Sequence, residues 1–445
     1  MGNRQPAGGA ARERKEQRSR GIPSSTGALA ALLVAALAPA PPAAAHPLDT
    51  YGFTSRATAM GSAQTAAPRR ESAAHYNPGA VAGGERAELT LGLSHHAPSL
   101  RLNGSEFAVP PLLLWELGLA TPLPLLPGLG RRLGFGAIVV LPQDGVYQLR
   151  QPDDRAVSFP LLDSDNRRLV LSWALGWEPL SWLQVGAGAT LLPDVPGRVL
   201  LDIGDEGGVN STEIDIEYSW SLIAGVLLRL PWSFRLGLSY RQGQELGIEL
   251  PVEVEVTQGF AVAALVTGPA FFTPSMLAAG LAWQPRPELQ LAFDLTWYGF
   301  SAYSIEAPSV TILDGRGRPL RQLPAEQSSF SDVLCPRGGL EWWPRPWLAL
   351  RSGYGYHPTP VPPQQGRTNL LDGDRHVLAL GLGVMLPRFG SWGPAEAALD
   401  LHGQLQLMEQ VAWEKEEILV DNAGYPTVTG SGLVTSLGLA LRVRP

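Results

Sequence analysis

Residues 183–191 read Leu-Gln-Val-Gly-Ala-Gly-Ala-Thr-Leu, so apolar residues alternate with polar residues or glycine. The same period of two recurs at residues 234–241 and 399–407. Because successive side chains of a β-strand point to opposite faces, each stretch predicts a strand with one apolar face and one small or polar face. Two surroundings fit such a strand. One is a protein core opposed by water, and the other is lipid opposed by the lumen of a barrel.

The connections between the strands favour the barrel. Short turns rich in proline and tryptophan occur at residues 177–182, 230–232, 283–287 and 342–347. Long polar connections occur between them, at residues 193–213, 301–331, 357–374 and 412–430. Tryptophan concentrates at membrane–water interfaces, and outer-membrane barrels alternate short periplasmic turns with long outer loops. We therefore predict an antiparallel transmembrane β-barrel with its long loops on the outside, rather than a soluble sandwich.

The alternating segments number about fourteen, an even number as in bacterial barrels. They lie near residues 86–95, 112–120, 133–141, 168–178, 183–192, 217–229, 233–241, 275–283, 289–300, 333–342, 347–356, 375–386, 395–410 and 432–444. The last of these is retained although the chain finishes in Arg444-Pro445, because its leucines still alternate.

The first 45 residues have the features of a secretory signal. Six basic residues between positions 4 and 20 precede the apolar run Ala28–Ala38, and Ala43–Ala45 stands before His46 as a cleavage site. Removal of residues 1–45 takes away six basic and two acidic residues and moves the net charge from −7 to −11. That charge disfavours nucleic acid as a partner. The predicted location is the outer membrane of a Gram-negative bacterium.

The sequence offers little for metal or redox chemistry. Cys335 is the single cysteine of the chain, which excludes an intramolecular disulfide and a cysteine-based metal cluster. The spacing of the histidines and acidic residues does not match a set of metal ligands. We expect no metal and no cofactor.

Residues 46–84 differ from the rest of the chain. They are rich in alanine, glycine and serine and include the turn Tyr76-Asn77-Pro78-Gly79. A segment with so few large apolar residues cannot fold alone. We expect it to be enclosed by residues 85–445, which would form the barrel.

Short motifs in this segment resemble a known family. Arg56, Ala59-Met60-Gly61 and Tyr76-Asn77-Pro78 are similar to the N-terminal plug of the outer-membrane long-chain fatty acid transporters, a family that includes relatives taking up aromatic hydrocarbons. Further similar patches lie in the barrel region, at residues 238–241, 274–276, 280–283, 294–298, 353–356, 358–362 and 372–375.

The resemblance implies a fourteen-stranded barrel whose N-terminal plug, or hatch, blocks the lumen. It also implies an inward kink in the third strand that opens a lateral exit. The residues predicted to form the gate are Asn77, Pro78, Gly79, Gly134 and Gly136. The two glycines in the third strand fit equally well as ordinary small residues of the lumen, since glycine relaxes strand geometry but is common here.

Apolar and aromatic side chains are the predicted ligand contacts. Phe53 and Tyr76 are the large side chains of the plug, and Phe260, Phe271 and Phe272 lie in a predicted outer loop over residues 241–274. Exposed apolar stretches often mark binding sites, so we expect this loop to catch ligand. The alternative is a loop that packs its own small core over the mouth of the barrel.

One basic residue is the predicted contact for a carboxylate headgroup. Arg241 shares the lumen-facing phase of its strand with Arg235 and Ser239, and arginine can bind a carboxylate with paired hydrogen bonds. Arg351 is a weaker possibility by the same reasoning. Either arginine could instead pair with an acidic residue across the lumen.

These features favour a transport protein for the passive uptake of hydrophobic compounds, above all long-chain fatty acids. The expected partners are the hydrophobic ligand and the lipids of the outer membrane, with the chain acting as a monomer. An aromatic hydrocarbon channel is the nearest alternative. A barrel lipid hydrolase, for which His402 is the histidine on the predicted lumen face, and a structural outer-membrane protein are the others.

Overall fold

The computed structural model describes most of the chain from Pro47 onward. The predicted signal, residues 1–45, lies outside the described residues. The described residues are 47–123, 132–143, 147–148, 157–162, 167–194, 197–200, 211–214, 217–257, 260–302, 304–306, 309–313, 319–322, 327–366, 369–386, 396–416 and 424–445.

Fourteen antiparallel strands form a closed barrel. They are β1 Glu88–Leu102, β2 Leu112–Pro122, β3 Leu133–Pro142, β4 Val170–Leu180, β5 Leu183–Asp194, β6 Glu217–Arg229, β7 Phe234–Arg241, β8 Ser275–Arg286, β9 Leu289–Gly299, β10 Val333–Arg345, β11 Leu348–His357, β12 Arg375–Leu386, β13 Glu396–Glu414 and β14 Thr427–Arg444. Each strand pairs with its neighbours in sequence, and β14 pairs with β1 to close the sheet. The predicted fold is confirmed, including the last strand.

The first strand is longer than the sequence pattern indicates. We predict its end near residue 95, but β1 continues to Leu102 and pairs with β14 over residues 89–102. The prediction that His95 lies at a strand end is therefore wrong. His-His-Ala-Pro breaks the apolar alternation, yet backbone pairing to β14 continues through it because pairing does not depend on side-chain polarity.

The outward face of the barrel is apolar and is bounded by two rows of tryptophan. One row lies beside the short turns and consists of Trp177, Trp182, Trp232, Trp283, Trp342 and Trp347. The other lies near the opposite strand ends and consists of Trp115, Trp173, Trp220 and Trp297. Exposed leucines cover the wall between them. This is the apolar band with aromatic girdles that a bilayer requires.

The predicted outer loop over residues 241–274 is instead a hairpin. Gln244–Thr257 and Phe260–Thr273 pair along their lengths and join Ser309–Leu313 and Pro319–Gln322 in a four-stranded sheet. The prediction of a loop is wrong because residues 252–256, Val-Glu-Val-Glu-Val, alternate as strictly as the wall strands do.

The helices are short and belong to the N-terminal segment. They are α1 Pro47–Tyr51, α2 Ser55–Ala59 and α3 Ala73–Tyr76, with 3₁₀ turns at Arg70–Ser72 and Pro78–Val81. None of the helices in the described residues is long and apolar enough to cross a membrane.

Candidate functional site

The N-terminal segment, residues 47–84, packs against the inner face of the barrel. Most of its side chains from Tyr51 to Ala82 are buried, although few of them are large. Glycines of β2 through β8 and of β10 through β12 approach it closely, and it also contacts His96 of β1, Asp294 of β9 and Asp400 of β13. A segment that touches the inner faces of strands all around the wall lies within the lumen, and we refer to it as the plug.

Inward-facing glycines make room for the plug. A Cβ atom added to Gly353 would lie 2.0 Å from the Gly61 nitrogen, and one added to Gly237 would lie 2.0 Å from the Thr65 oxygen. Both distances are shorter than real contacts allow, so these positions accept only glycine. Glycines with close approaches to the plug occur on ten strands, at positions 118, 134, 176, 186, 225, 237, 280, 339, 353 and 381.

Asn77 fastens the plug to the wall. Its side chain is fully buried, and its Nδ2 donates to the Thr65 oxygen at 2.7 Å and to the Val226 oxygen of β6 at 3.0 Å. Its Oδ1 accepts from the backbone N–H of Gly79 at 3.1 Å, which caps the 3₁₀ turn beginning at Pro78. One amide therefore holds two parts of the plug and one strand together.

We expect Asn77→Ala to loosen the plug without unfolding the barrel. The substitution leaves the Thr65 and Val226 oxygens without Asn77 Nδ2, and each unpaired buried group costs roughly 1–3 kcal/mol. Hydrogen exchange of amides in residues 70–82 should accelerate about tenfold or more. Asn103→Ala is the control, because Asn103 makes its own side-chain hydrogen bond to Thr429 in an exposed hairpin. Equal exchange in the two variants would contradict this role for Asn77.

A buried cluster of charges forms a second attachment, the ion-pair cluster of Arg56, Arg69, Glu341, Arg351 and Asp400. Arg56 of α2 donates to Glu341 of β10 at 2.6 Å, and Arg351 of β11 donates to Glu341 at 2.7 Å and to Asp400 of β13 at 2.6 Å. Arg69 lies 3.6 Å from Glu341 and 3.5 Å from Asp400. The two arginines of the plug thus share the carboxylates of the wall.

A chain of hydrogen bonds makes a third attachment. Ser436 Oγ lies 2.8 Å from His96 Nδ1, and Ser94 Oγ lies 3.1 Å from His96 Nε2. Ser94 donates to Glu116 Oε1 at 2.7 Å, and Glu116 Oε2 accepts from the backbone N–H of Thr54 at 2.8 Å. The chain joins β14, β1 and β2 to the residue that precedes α2.

The same chain bears on the hydrolase alternative. A serine–histidine contact is present at His96, not at His402, which the sequence singles out. His96 is fully buried and stacks on Tyr51 of α1 with ring centroids 4.2 Å apart. Among the described residues, the ring nitrogens of His402 have no hydrogen-bond partner. Neither histidine is open to a substrate in this arrangement.

A cavity lies beside α1, toward the end of the barrel that carries the long connections. Its volume is about 30 Å³. Apolar and aromatic side chains dominate its lining, which includes Leu161, Tyr298, Phe300, Val333 and Cys335, with Asp49 and Arg375 among the polar groups. We call this space the upper cavity. Such a volume holds one water molecule, so an alkyl chain could enter only if the plug or the mouth moved.

Arg375 is the polar group of interest in the upper cavity. Its side chain is buried, and its Nε and Nη1 make no hydrogen bond within the part of the chain that the structure describes. Its nearest carboxylate belongs to Asp372, whose Oδ1 lies 3.9 Å from Nε. Burial raises the pKa of the Asp372 carboxyl even though Arg375 lies close. Arg375 therefore retains capacity to bind an additional anion.

A second cavity of about 30 Å³, the lower cavity, shares Asp49 and Tyr298 with the upper one. Arg337 lines it and donates to the Thr296 hydroxyl and the Tyr298 hydroxyl, at 2.9 Å each. His75 of α3 also lines it, and burial together with nearby Arg241 lowers the pKa of His75 to about 3. His75 is consequently neutral at physiological pH. The two cavities meet at Asp49 and Tyr298, beside α1.

The predicted headgroup contact, Arg241, is paired within the protein. Its Nη2 donates to Asp49 Oδ1 of α1 at 2.6 Å, so the acidic partner comes from the plug. Arg351 is likewise committed to the ion-pair cluster. These contacts match the alternative that the sequence left open, an arginine paired with an acid across the lumen.

The predicted plug aromatics occupy different positions. Tyr76 lines the lower cavity, and its hydroxyl accepts from the Phe53 N–H at 2.9 Å and donates to the Phe53 oxygen at 3.1 Å. Phe53 itself is fully buried in the apolar core of the plug. Of the two, Tyr76 is the one placed to touch a molecule in the lower cavity.

The outer aromatics are described in part. Phe272 is buried and packs on Phe300 with ring centroids 5.7 Å apart, so it supports a wall of the upper cavity. The side chains of Phe260 and Phe271 lie outside the described part of the structure.

The two glycines of the third strand face the plug. A Cβ on Gly134 would lie 2.3 Å from the Val81 oxygen, and one on Gly136 would lie 3.0 Å from Val81 Cγ2. Strand β3 pairs with β2 and β4 without a register shift in its described length. Both positions therefore leave room for Val81 of the plug, and the lateral exit stays a prediction.

A barrel with aromatic girdles, a polar inner face, a lumen occupied by the plug and small cavities beside that plug defines an outer-membrane transport protein. Residues 205–388 match the family model described as outer membrane protein transport protein (OMPP1/FadL/TodX). Over these residues the chain is similar to that family.

Individual relatives show the same similarity. The chain is 25% identical over 386 residues to alkane uptake protein A of Marinobacter nauticus, covering 81% of this chain and 83% of that protein. It is similar in fold to a Pseudomonas aeruginosa FadL homologue, with a TM-score of 0.55, 16% identity and coverage of 91% and 98% of the two chains. The Pseudomonas putida toluene transporter TodX gives a TM-score of 0.58, 15% identity and coverage of 89% and 99%.

Arg375 and Arg337 were not predicted as ligand contacts. Both occupy the buried phase of their strands close to the outer end, and Arg375 lies within the patch at residues 372–375. The sequence indicates only that both side chains face the lumen near the end of a strand. Too many other residues share that property for it to select these two.

Proposed function

We propose that this chain mediates passive uptake of long-chain fatty acids across the outer membrane, with no catalytic step and as a monomer. The observation that carries the proposal is the buried Arg375 guanidinium, which has free donors beside an otherwise largely apolar cavity. A fatty acid has the matching parts, since its chain suits the apolar lining and its carboxylate suits the guanidinium.

In this proposal the plug is the gate. Asn77, Pro78 and Gly79 hold it against β5 and β6, and the upper and lower cavities become a continuous path when α1 shifts. Tyr76 and Arg241 border that path, so either would contact a passing ligand after the Asp49 pairing opens. A lateral exit at β3 would require Val81 to leave Gly134 and Gly136.

We expect Arg375→Met to lower oleate affinity by about ten- to a hundredfold, because a hydrogen bond to a charged group contributes roughly 1.5–3 kcal/mol. Calorimetric titration of the detergent-solubilised protein with oleate measures this. Uptake of hexadecane, which lacks a carboxylate, should not change. Arg101→Met is the matched control, since Arg101 is exposed on β1.

Two outcomes would count against the proposal. Unchanged oleate binding in Arg375→Met would remove Arg375 from the site. Uptake of hexadecane or toluene without any binding of oleate would favour the hydrocarbon alternative, which the alkane uptake relative also supports.

A further inference from the structure

A groove on the outward face of the barrel is separate from the path through the plug. It has a volume of about 380 Å³, more than ten times that of either inner cavity. Residues of β1, β2, β13 and β14 line it, namely the outward-facing Leu93, His95, Leu113, Leu401, Leu437 and Leu439 together with the inward-phase His402 and Gly438. We call it the wall groove. Its volume is within the range of small-molecule binding sites.

A glycine without a side chain lies beside the groove. Gly403 lies in an outward-facing row of the wall, directly opposite Leu437 of β14. A Cβ added there would meet only Leu437 Cδ2, at 3.6 Å, so the space beside Gly403 is open. Behind the groove, His402 pairs with Gly438 in an unbroken part of the ladder. The groove therefore opens on the bilayer face of the wall, with His402 and Gly438 at its floor.

The groove is polar at its outer side and apolar toward the membrane centre. Leu93 lies opposite Trp115, which belongs to the tryptophan row near the long connections. His95 is one side-chain step further out and is exposed, between Leu113 and Leu437. An ionisable residue on the bilayer face is costly unless it serves an interaction.

We propose that the wall groove binds one acyl chain of an anionic phospholipid of the outer membrane, with its phosphate accepting a hydrogen bond from His95. Only a molecule in the bilayer reaches this face. The leucines match an acyl chain, and His95 lies at the level where a headgroup phosphate is expected. Because lumen and groove are separated by the paired strands, this site does not depend on the uptake function.

Filling the groove tests the proposal. Palmitoyl-oleoyl phosphatidylglycerol is added to the full-length protein in dodecyl maltoside, and retained lipid is measured by native mass spectrometry. We expect Gly403→Phe to weaken retention about tenfold, because losing contact with two buried methylenes is worth about one order of magnitude. Gly338→Phe is the matched control, since Gly338 is also outward-facing and its added Cβ would meet only the Ala292 oxygen, at 4.0 Å.

A headgroup measurement completes the test and does not depend on a bulky substitution. The wild type should retain phosphatidylglycerol in preference to diacylglycerol of the same chains, and His95→Leu should abolish that preference. Heat-dependent mobility on gels confirms that each variant is folded. Equal retention by Gly403→Phe and Gly338→Phe would overturn the proposal. Saturation by oleate but not by phosphatidylglycerol would also overturn it, and would assign the groove to substrate.

Discussion

Deletion of residues 46–84 is expected to convert a closed barrel into an open aqueous channel. The plug fills the lumen against ten strands, and large barrels without such filling enclose water. Ion conductance in planar bilayers should rise by at least about one order of magnitude over the wild type. The signal region, residues 1–45, is kept and joined to Glu85 in this variant so that export is preserved.

The deletion also separates the uptake function from the alternatives. Selective oleate uptake should be lost, because Asp49 and the other plug residues that border the inner cavities are gone. Heat-dependent gel mobility shows whether the remaining barrel folds. If a folded deletion variant stays non-conducting and takes up and binds oleate as before, the plug is not the gate.

Glu341→Gln is expected to cause the largest loss of stability from a single substitution. Glu341 is fully buried and accepts from Arg56 and Arg351, with Arg69 at 3.6 Å. Removing its charge leaves the arginines of the ion-pair cluster with Asp400 as their remaining carboxylate. Breaking a buried ion pair from one side costs roughly 3–5 kcal/mol. Urea unfolding in detergent micelles, followed by tryptophan fluorescence, measures the change.

Glu396→Gln is the matched control for this substitution. Glu396 also lies near two arginines, Arg86 at 3.9 Å and Arg444 at 3.5 Å, but its side chain is 37% exposed. An exposed pair is worth about 0–1 kcal/mol because water screens it. Similar losses in the two glutamine variants would show that the buried cluster does not hold the plug to the wall.

The space beside the plug is narrow in the structure. Each inner cavity has room for about one water molecule, so transport requires a displacement of α1 or of the barrel mouth. The Arg241–Asp49 pair joins α1 to β7 at the junction of the two cavities. Passage of an apolar molecule is consequently linked to breaking contacts between the plug and the wall.

Much of the wall could be predicted from the sequence because its signal is local. Alternation at residues 183–191 reappears as β5, and all fourteen predicted strands are present. The outer hairpin over residues 244–273 was missed because alternation alone does not say whether a strand joins the barrel or a separate sheet. The extension of β1 to Leu102 was missed because pairing with β14 carries it.

The site was less predictable because its partners are distant in sequence. Arg241 was predicted to bind a carboxylate headgroup, yet it pairs with Asp49, which is 192 residues away in sequence. At Arg375, Nε and Nη1 make no hydrogen bond to the described residues and are therefore able to bind a carboxylate. Only the packing around Arg375 shows this. The inward glycines were visible in the sequence, but their common purpose emerges only when the plug lies against them.

The sequence by itself determined that this chain is a membrane barrel with an internal segment. Three features carry that information: period-two alternation, tryptophan at the short turns and a segment too small to fold alone. Each is a property of neighbouring residues. A closed barrel is the β-structure that satisfies all backbone hydrogen bonds in a bilayer, so these local features are enough to predict it. Only the tertiary structure decided which arginine brings unbonded donors to the upper cavity, where the plug is held and where the outward face has a groove. Those properties depend on which side chains meet across the barrel, and closure of the sheet brings together residues hundreds of positions apart, as it does for Arg56 and Glu341.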